Sequence, residues 1–541
     1  MLRNSGVSVC AALVAIATCI PAPARADDKR AERPMPCADL VQLSLPDTLI
    51  TSAVEMPAGP FPFSGSISPT CSSDVSSPQL PAFCRVQGTV APQIKFELWL
   101  PLQGWNGKFQ GYGNHGFAGN IEYTDMGPEL VKGYAVAGTD TGHLASQQPP
   151  SWMQNQQQIV DYGSRGVHEM TVKSKAIVEA FYGKAPKYSY FNGCSTGGKE
   201  GLMAAQRYPE DFDGINVGGS ANFAQIHNRV QYVWNGQVTF GRGVPLANTS
   251  TRATLNLIND AVVAACDEID GVKDGVIDNP LACPFQPSSL LCKAGQDPRT
   301  CLTALEVDAL EKVYQGPRNP RTGEEIYPGL VRGSERGWGG STVGPGVSTA
   351  DTFFKFMVYN DPNWNFRTFN FDSDLAYTDG HFSALIDAID PDLSAFRKRG
   401  GKLLFSHLWS SNTHAATRSI EYYEQVASRM HGGEKDRGNK FGKTQEFFRL
   451  FMVPSASGSK GPDSFDAMPY LERWVEQGIP PKSILASHKT GGVVDRTRPV
   501  CPYPQHAVYN GIGSTDEAAN FRCRNPRGER QDRDDDDDHD D

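Results

Sequence analysis

The chain has 541 residues, a net charge of −10, 39% hydrophobic residues, 54 glycines and 38 prolines. These figures suit a loop-rich globular protein and argue against a coiled coil, a collagen or a disordered chain. There is no basic stripe, so a nucleic-acid partner is not expected.

The first 26 residues read as an export signal: Arg3 supplies charge, Val7 to Ile20 an apolar run, and Ala24-Arg25-Ala26 a small-x-small cleavage site. A spanning helix needs about 20 apolar residues, and this run is shorter and interrupted. No later segment is long and apolar enough, so a secreted or periplasmic protein is expected, with no membrane anchor. Losing Arg3 and Arg25 leaves a charge of −12. The roughly 515 residues that remain are too many for one simple core. Ten cysteines stay with the mature chain, and an even count in an exported protein predicts disulfides. Spacing pairs Cys266 with Cys283, Cys292 with Cys301, and Cys501 with Cys523. Cys37, Cys71, Cys84 and Cys194 remain unassigned.

From Phe96 to Gly219 strands and helices alternate. "YAVAG" (134–138) is a short apolar strand, and Val167, Met170, Ile177 and Phe181 recur at helical spacing. "KYSYF" is a strand ending at Asn192-Gly193, "GLMAAQRY" a helix stopped by Pro209, and "GINVGG" another strand. This alternation predicts a parallel sheet covered on both faces. From about Phe223 to Pro391 the alternation gives way to turns and local cysteine pairs. "GGKLLFSH" (400–407) restores the strand pattern, and a helix follows through "RSIEYYEQVASRM". The expected organisation is an α/β domain over 27–222 and 396–525, interrupted by an inserted lid over 223–395. Residues 526–541 form an acidic tail, with aspartate at seven of the last eight positions; such a run is solvated.

Gly193-Cys194-Ser195-Thr196-Gly197 fits the Gly-x-Ser-x-Gly turn, with a strand before it and a helix after it. Such a turn lifts a serine oxygen above the sheet edge between small neighbours. The Thr196 N–H, at the helix start, can face an oxyanion. In "CDEIDGVKDGVIDNP", Asp267, Asp270, Asp274 and Asp278 stand among glycines, a pattern that can wrap a hard cation or form a plain acidic turn.

These residues lie in longer blocks, among them "LPAFCRVQG", "TDTGH", "YFNGCSTGGKEGLMAAQRYPEDFDGI" and "CPYPQHAVYNGIGSTDEAANFRC". With them the chain resembles the tannase/feruloyl esterase family of α/β hydrolases across nearly all its mature length. The resemblance implies an α/β-hydrolase fold with a lid, and a Ser-His-Asp triad that cleaves esters of aromatic acids. It implies Ser195 as nucleophile, the Thr196 N–H and the loop containing Gly113 as oxyanion donors, and a small aromatic ester or acid as ligand. It also implies a structural Ca2+ in the lid, held by the side chains of Asp267, Asp270 and Asp274 and the backbone oxygens of Val272 and Val276.

Two departures stand out. Where the family carries its acid, this chain has Ser411. Where it carries His-Cys, this chain has approximately Gly458-Ser459, so Cys194 loses its family partner. No Asp lies between Leu393 and Glu434, and no His between Gly432 and Ser487. His414, on the loop of the expected acid, is the best spare base. His407, His506 and His115 are weaker candidates, each more often a packing or surface histidine. Trp338 is a weak candidate for the pocket. The expectation is an exported serine esterase impaired by loss of the triad Asp and His. The alternative is a pseudoenzyme of the same fold that binds an aromatic ligand without efficient turnover.

Overall fold

The computed structural model describes residues 34–60, 79–218, 222–244, 246, 253–339, 348–433, 439–454 and 461–525. The expected export signal and acidic tail lie outside them. Nine strands form one sheet: β1 (Thr48–Met56), β2 (Phe83–Val90), β3 (Ile94–Pro101), β4 (Lys108–Tyr112), β5 (Ala135–Thr139), β6 (Tyr188–Cys194), β7 (Gly214–Gly218), β8 (Lys402–Leu408) and β9 (Phe448–Val453). Their spatial order is β1-β2-β3-β5-β4-β6-β7-β8-β9. The pairs from β1 to β5 are antiparallel, and those from β5 to β9 parallel.

The helices α1 (Tyr123–Val131), α2 (Gly166–Tyr182) and α3 (Thr196–Arg207) carry the chain from β4 to β5, β5 to β6 and β6 to β7. Every residue of β5 and β7 is buried. Cover on both faces removes the need for polar alternation, which is why these strands read as runs of apolar and small residues. β6 runs past Asn192, where the sequence suggested it would stop, because Gly193 and Cys194 still pair with Val217 and Gly218 of β7.

Between β7 and β8 the described residues contain helices and turns but no strand, including α4 (Gln225–Val238), α5 (Ala253–Cys266) and α6 (Ala304–Gln315). One apolar cluster joins Ile226, Val230, Val233 and Phe353 of this segment to Ala118, Trp152, Ile159 and Tyr162 of the loops beyond β4 and β5. The inserted segment thus packs on the sheet end that carries the β6–α3 turn. Trp338 belongs to a second cluster, with Leu310 and Val313. Its indole is fully buried and donates to Ser334 Oγ at 2.9 Å, which corrects the expectation that it faces a pocket.

Cys266–Cys283, Cys292–Cys301 and Cys501–Cys523 are bonded as their spacing predicts, and Cys37 pairs with Cys84. Cys194 is also disulfide-bonded; Cys71 lies outside the described residues. After β9, helix α7 (Ala416–His431) having already covered β8, the chain forms α8 (Met468–Gln477) and a hairpin of β10 (Ile484–Thr490) and β11 (Val493–Val500). Among the described residues, no helix is long and apolar enough to cross a membrane.

Candidate active site

Ser195 stands between β6 and α3 at φ 56°, ψ −118°. A non-glycine residue rarely holds a positive φ, and such strain persists only where the surroundings fix it. Here they do. The Ser195 carbonyl accepts the Asn222 N–H at 2.9 Å and the Lys199 N–H at 3.3 Å. Small residues are needed on each side: a β-carbon on Gly193 would sit 2.6 Å from the Gly197 carbonyl carbon, and one on Gly113 2.4 Å from the Gly197 α-carbon.

The loop after β4 is stitched to the start of α3. Gly197 N–H donates to Asn114 O at 2.7 Å, and Thr196 Oγ donates to Gly116 O. Thr196 opens the helix, so its own N–H has no intrahelical acceptor and suits an oxyanion. Gly113 is different. Its N–H extends the β4–β6 ladder, donating to Asn192 O at 3.0 Å, so it is not the oxyanion donor the sequence suggested. Its part is to allow close approach.

Behind the loop lies a pair that the sequence reading passed over. Lys199 and Glu200 are 0% and 3% exposed. Glu200 Oε2 accepts the Asn114 N–H at 2.9 Å, while its Oε1 is buried without a hydrogen-bond partner. Lys199 Nζ donates to the carbonyls of Tyr162 and Gly163 at 2.8 and 3.1 Å. Burial pulls the lysine down and pushes the carboxyl up, each partly countered by the other's charge.

The four candidate histidines differ in setting. His115 lies in the loop after β4, partly exposed, with Nε2 3.6 Å from Asp125 Oδ2. The neighbouring Asp125 carboxylate raises its pKa above the ordinary imidazole value, against burial. His414 follows β8, buried, with Nδ1 3.0 Å from Thr413 Oγ and its backbone N–H on Ser411 Oγ at 3.3 Å. Burial first, then Arg229 and His407, hold it well below the ordinary value. His407 ties β8 to α7 through Ser419 Oγ at 2.6 Å, and burial lowers it to about 4. His506 lines a cavity of about 360 Å3 with Trp409, Met452 and Pro454. Gly458 and Ser459, where the family's His-Cys is expected, lie outside the described residues.

The four aspartates sit where the inserted segment meets β11. Asp267 Oδ1 accepts the Gly275 N–H at 2.8 Å, Asp270 Oδ1 that of Val272 at 2.9 Å, and Asp274 Oδ1 that of Val276 at 3.0 Å. Arg498 donates to Asp274 Oδ2, and Arg496 Nη1 lies 3.4 Å from the same oxygen. Asp278 Oδ1 is buried without a hydrogen-bond partner. Among the described residues, no three His, Cys, Asp or Glu side chains converge closely enough to hold a metal as they stand.

Comparison with known proteins places this geometry. A family model described as tannase and feruloyl esterase matches residues 79–524. An uncharacterized esterase of Xanthomonas campestris pv. campestris is 38% identical, over 91% of this chain and 92% of that protein. A mono(2-hydroxyethyl) terephthalate hydrolase of Piscinibacter sakaiensis is 32% identical, over 83% and 86%. The crystal structure of feruloyl esterase B from Aspergillus oryzae superposes with a TM-score of 0.77 at 27% identity, covering 89% of this chain and 98% of that one.

Proposed function

The chain belongs to the tannase and feruloyl esterase family of carboxylic-ester hydrolases, and from that premise we propose that Ser195 is the nucleophile of an exported esterase acting on small esters of aromatic acids. The observation that carries the reading is the strained Ser195 backbone at φ 56°, held between glycines that admit no β-carbon. The Thr196 N–H stabilises the oxyanion as Ser195 Oγ attacks the carbonyl carbon. Relatives named for feruloyl and terephthalate esters support an aromatic acyl group, and the disulfides support an oxidising compartment. Ser411 in place of the family's acid supports a turnover slower than that of a complete triad.

A fluorophosphonate tests the assignment. It is expected to label the protein stoichiometrically at Ser195, with release of aromatic acid from a methyl ester such as methyl ferulate. No label and no acid at high enzyme concentration would sink the proposal and favour a ligand-binding protein without turnover.

The same reading includes a structural Ca2+ on the side chains of Asp267, Asp270 and Asp274 and the carbonyls of Val272 and Val276. Carboxylate and carbonyl oxygens are the donors a hard cation takes. The crowding supports it: burial, with the charge of Asp274, pushes the Asp270 carboxyl up to about 6, and a cation would relieve that. Chelation is expected to lower the melting temperature by several degrees and added Ca2+ to restore it, with Asp270→Asn insensitive to both. A melting temperature indifferent to chelator removes the metal from the account.

A further inference from the structure

We propose that His115, held by Asp125, is the base that takes the proton from Ser195. This rests on Ser195 being the nucleophile. The sheet register sets their two chains side by side. β4 and β6 are neighbours in parallel, with Tyr112 opposite Asn192, and three residues further along each chain stand His115 and Ser195. Hydrogen bonds beyond the strands keep the chains in step: Asn114 O takes the Gly197 N–H at 2.7 Å, and Gly116 O takes the Thr196 hydroxyl. His115 is therefore bracketed by residues pinned to the two positions that follow the nucleophile. His414, by contrast, follows β8, and β7 separates that strand from β6.

The dyad is built as a base needs. Asp125 is 4% exposed and its Oδ2 lies 3.6 Å from Nε2, so Nε2 is the nitrogen on the carboxylate side and Nδ1 is the one left for a hydroxyl. Glu122, just before α1, and Glu200, on α3, also act on the ring through their charges. All three acids favour the imidazolium that proton transfer creates.

The chemistry balances through one nitrogen. The Ser195 hydroxyl proton passes to Nδ1 while Oγ bonds to the ester carbon, and the carbonyl electron pair becomes the oxyanion at the Thr196 N–H. Collapse expels the alkoxide, which leaves with that proton as the alcohol. Water then attacks the acyl-enzyme, giving its proton to Nδ1, and Ser195 takes this proton back as the acid departs. His115 is the catalytic residue here and Asp125 the positioning residue.

The test measures kcat/KM against pH for methyl ferulate, with fluorophosphonate labelling, in the full-length wild type, His115→Gln, His115→Ala and Asp125→Asn. Both His115 variants are expected to lose on the order of 10²–10⁴-fold in kcat/KM, with a parallel loss in labelling rate and an unchanged melting temperature. In the wild type the rate rises as pH climbs through the His115 pKa, because only neutral imidazole accepts the proton. That limb is shifted upward from the ordinary imidazole value, since Asp125 raises the pKa. In Asp125→Asn it moves to lower pH, and it vanishes in the His115 variants; a merely structural role moves neither limb. A wild-type rate and pH limb retained in folded His115→Gln overturn the inference while Ser195 stands, and a wild type with neither label nor turnover overturns both.

Discussion

Replacing Ser195 with alanine is expected to reduce ester turnover by at least about 10³-fold and to abolish fluorophosphonate labelling. Alanine keeps the β-carbon, so the positive φ of 56° costs no more than before, and the bonds to the Ser195 carbonyl involve only backbone. The variant should therefore melt with the wild type, and its defect is chemical. What survives reflects the oxyanion donor and binding, which alone give a residual rate over water when a triad member is removed from a serine protease. Turnover within tenfold of wild type, in protein free of contaminating esterase, would remove Ser195 from the mechanism.

Replacing Lys199 with methionine is expected to destabilise the fold by about 3–5 kcal/mol, because it strands the buried Tyr162 and Gly163 carbonyls and removes the buried charge that counters Glu200. Glu200 would keep the Asn114 N–H but lose the nearby lysine charge that counters its burial. The direction with pH follows from its raised pKa. A carboxyl raised in the folded state contributes stability below its unfolded pKa, and loses it as pH rises through the folded value. The deficit of Lys199→Met should accordingly be small near pH 5 and largest near pH 8. Adding Glu200→Gln should recover part of it, since the charge is then gone from both partners. A melting temperature within about 1 °C of wild type at pH 8 contradicts this, because a loss of several kcal/mol moves the midpoint by several degrees.

Local features were the legible ones. The strand, turn and helix around Ser195 were plain in sequence because apolar runs and glycines announce them within a few residues. The three disulfides between near neighbours followed from spacing for the same reason. What the sequence did not yield depends on which strands lie side by side. Gly113 looked like an oxyanion donor until β6 was placed next to β4, where its N–H continues the ladder to Asn192. Trp338 looked available for a pocket because nothing nearby reveals that Tyr314 packs against its ring at 5.7 Å. Lys199 and Glu200 sit in a helix whose sequence carries no sign of burial. The approach of His115 to Asp125 depends on a loop that doubles back, and the alignment of its chain with that of Ser195 on a register no linear motif encodes.

The grip of Arg498 on Asp274 spans 224 residues of chain. A polypeptide that emerges amino-terminus first therefore cannot give Asp274 its arginine until nearly all of the chain has been made. β8 and β9, which complete the sheet beyond Ser195, also arrive after that segment. The order of synthesis thus delays completion of the fold to its final stage: an unfinished chain lacks the arginines that face Asp274, and only a nearly full-length molecule can complete the sheet around Ser195.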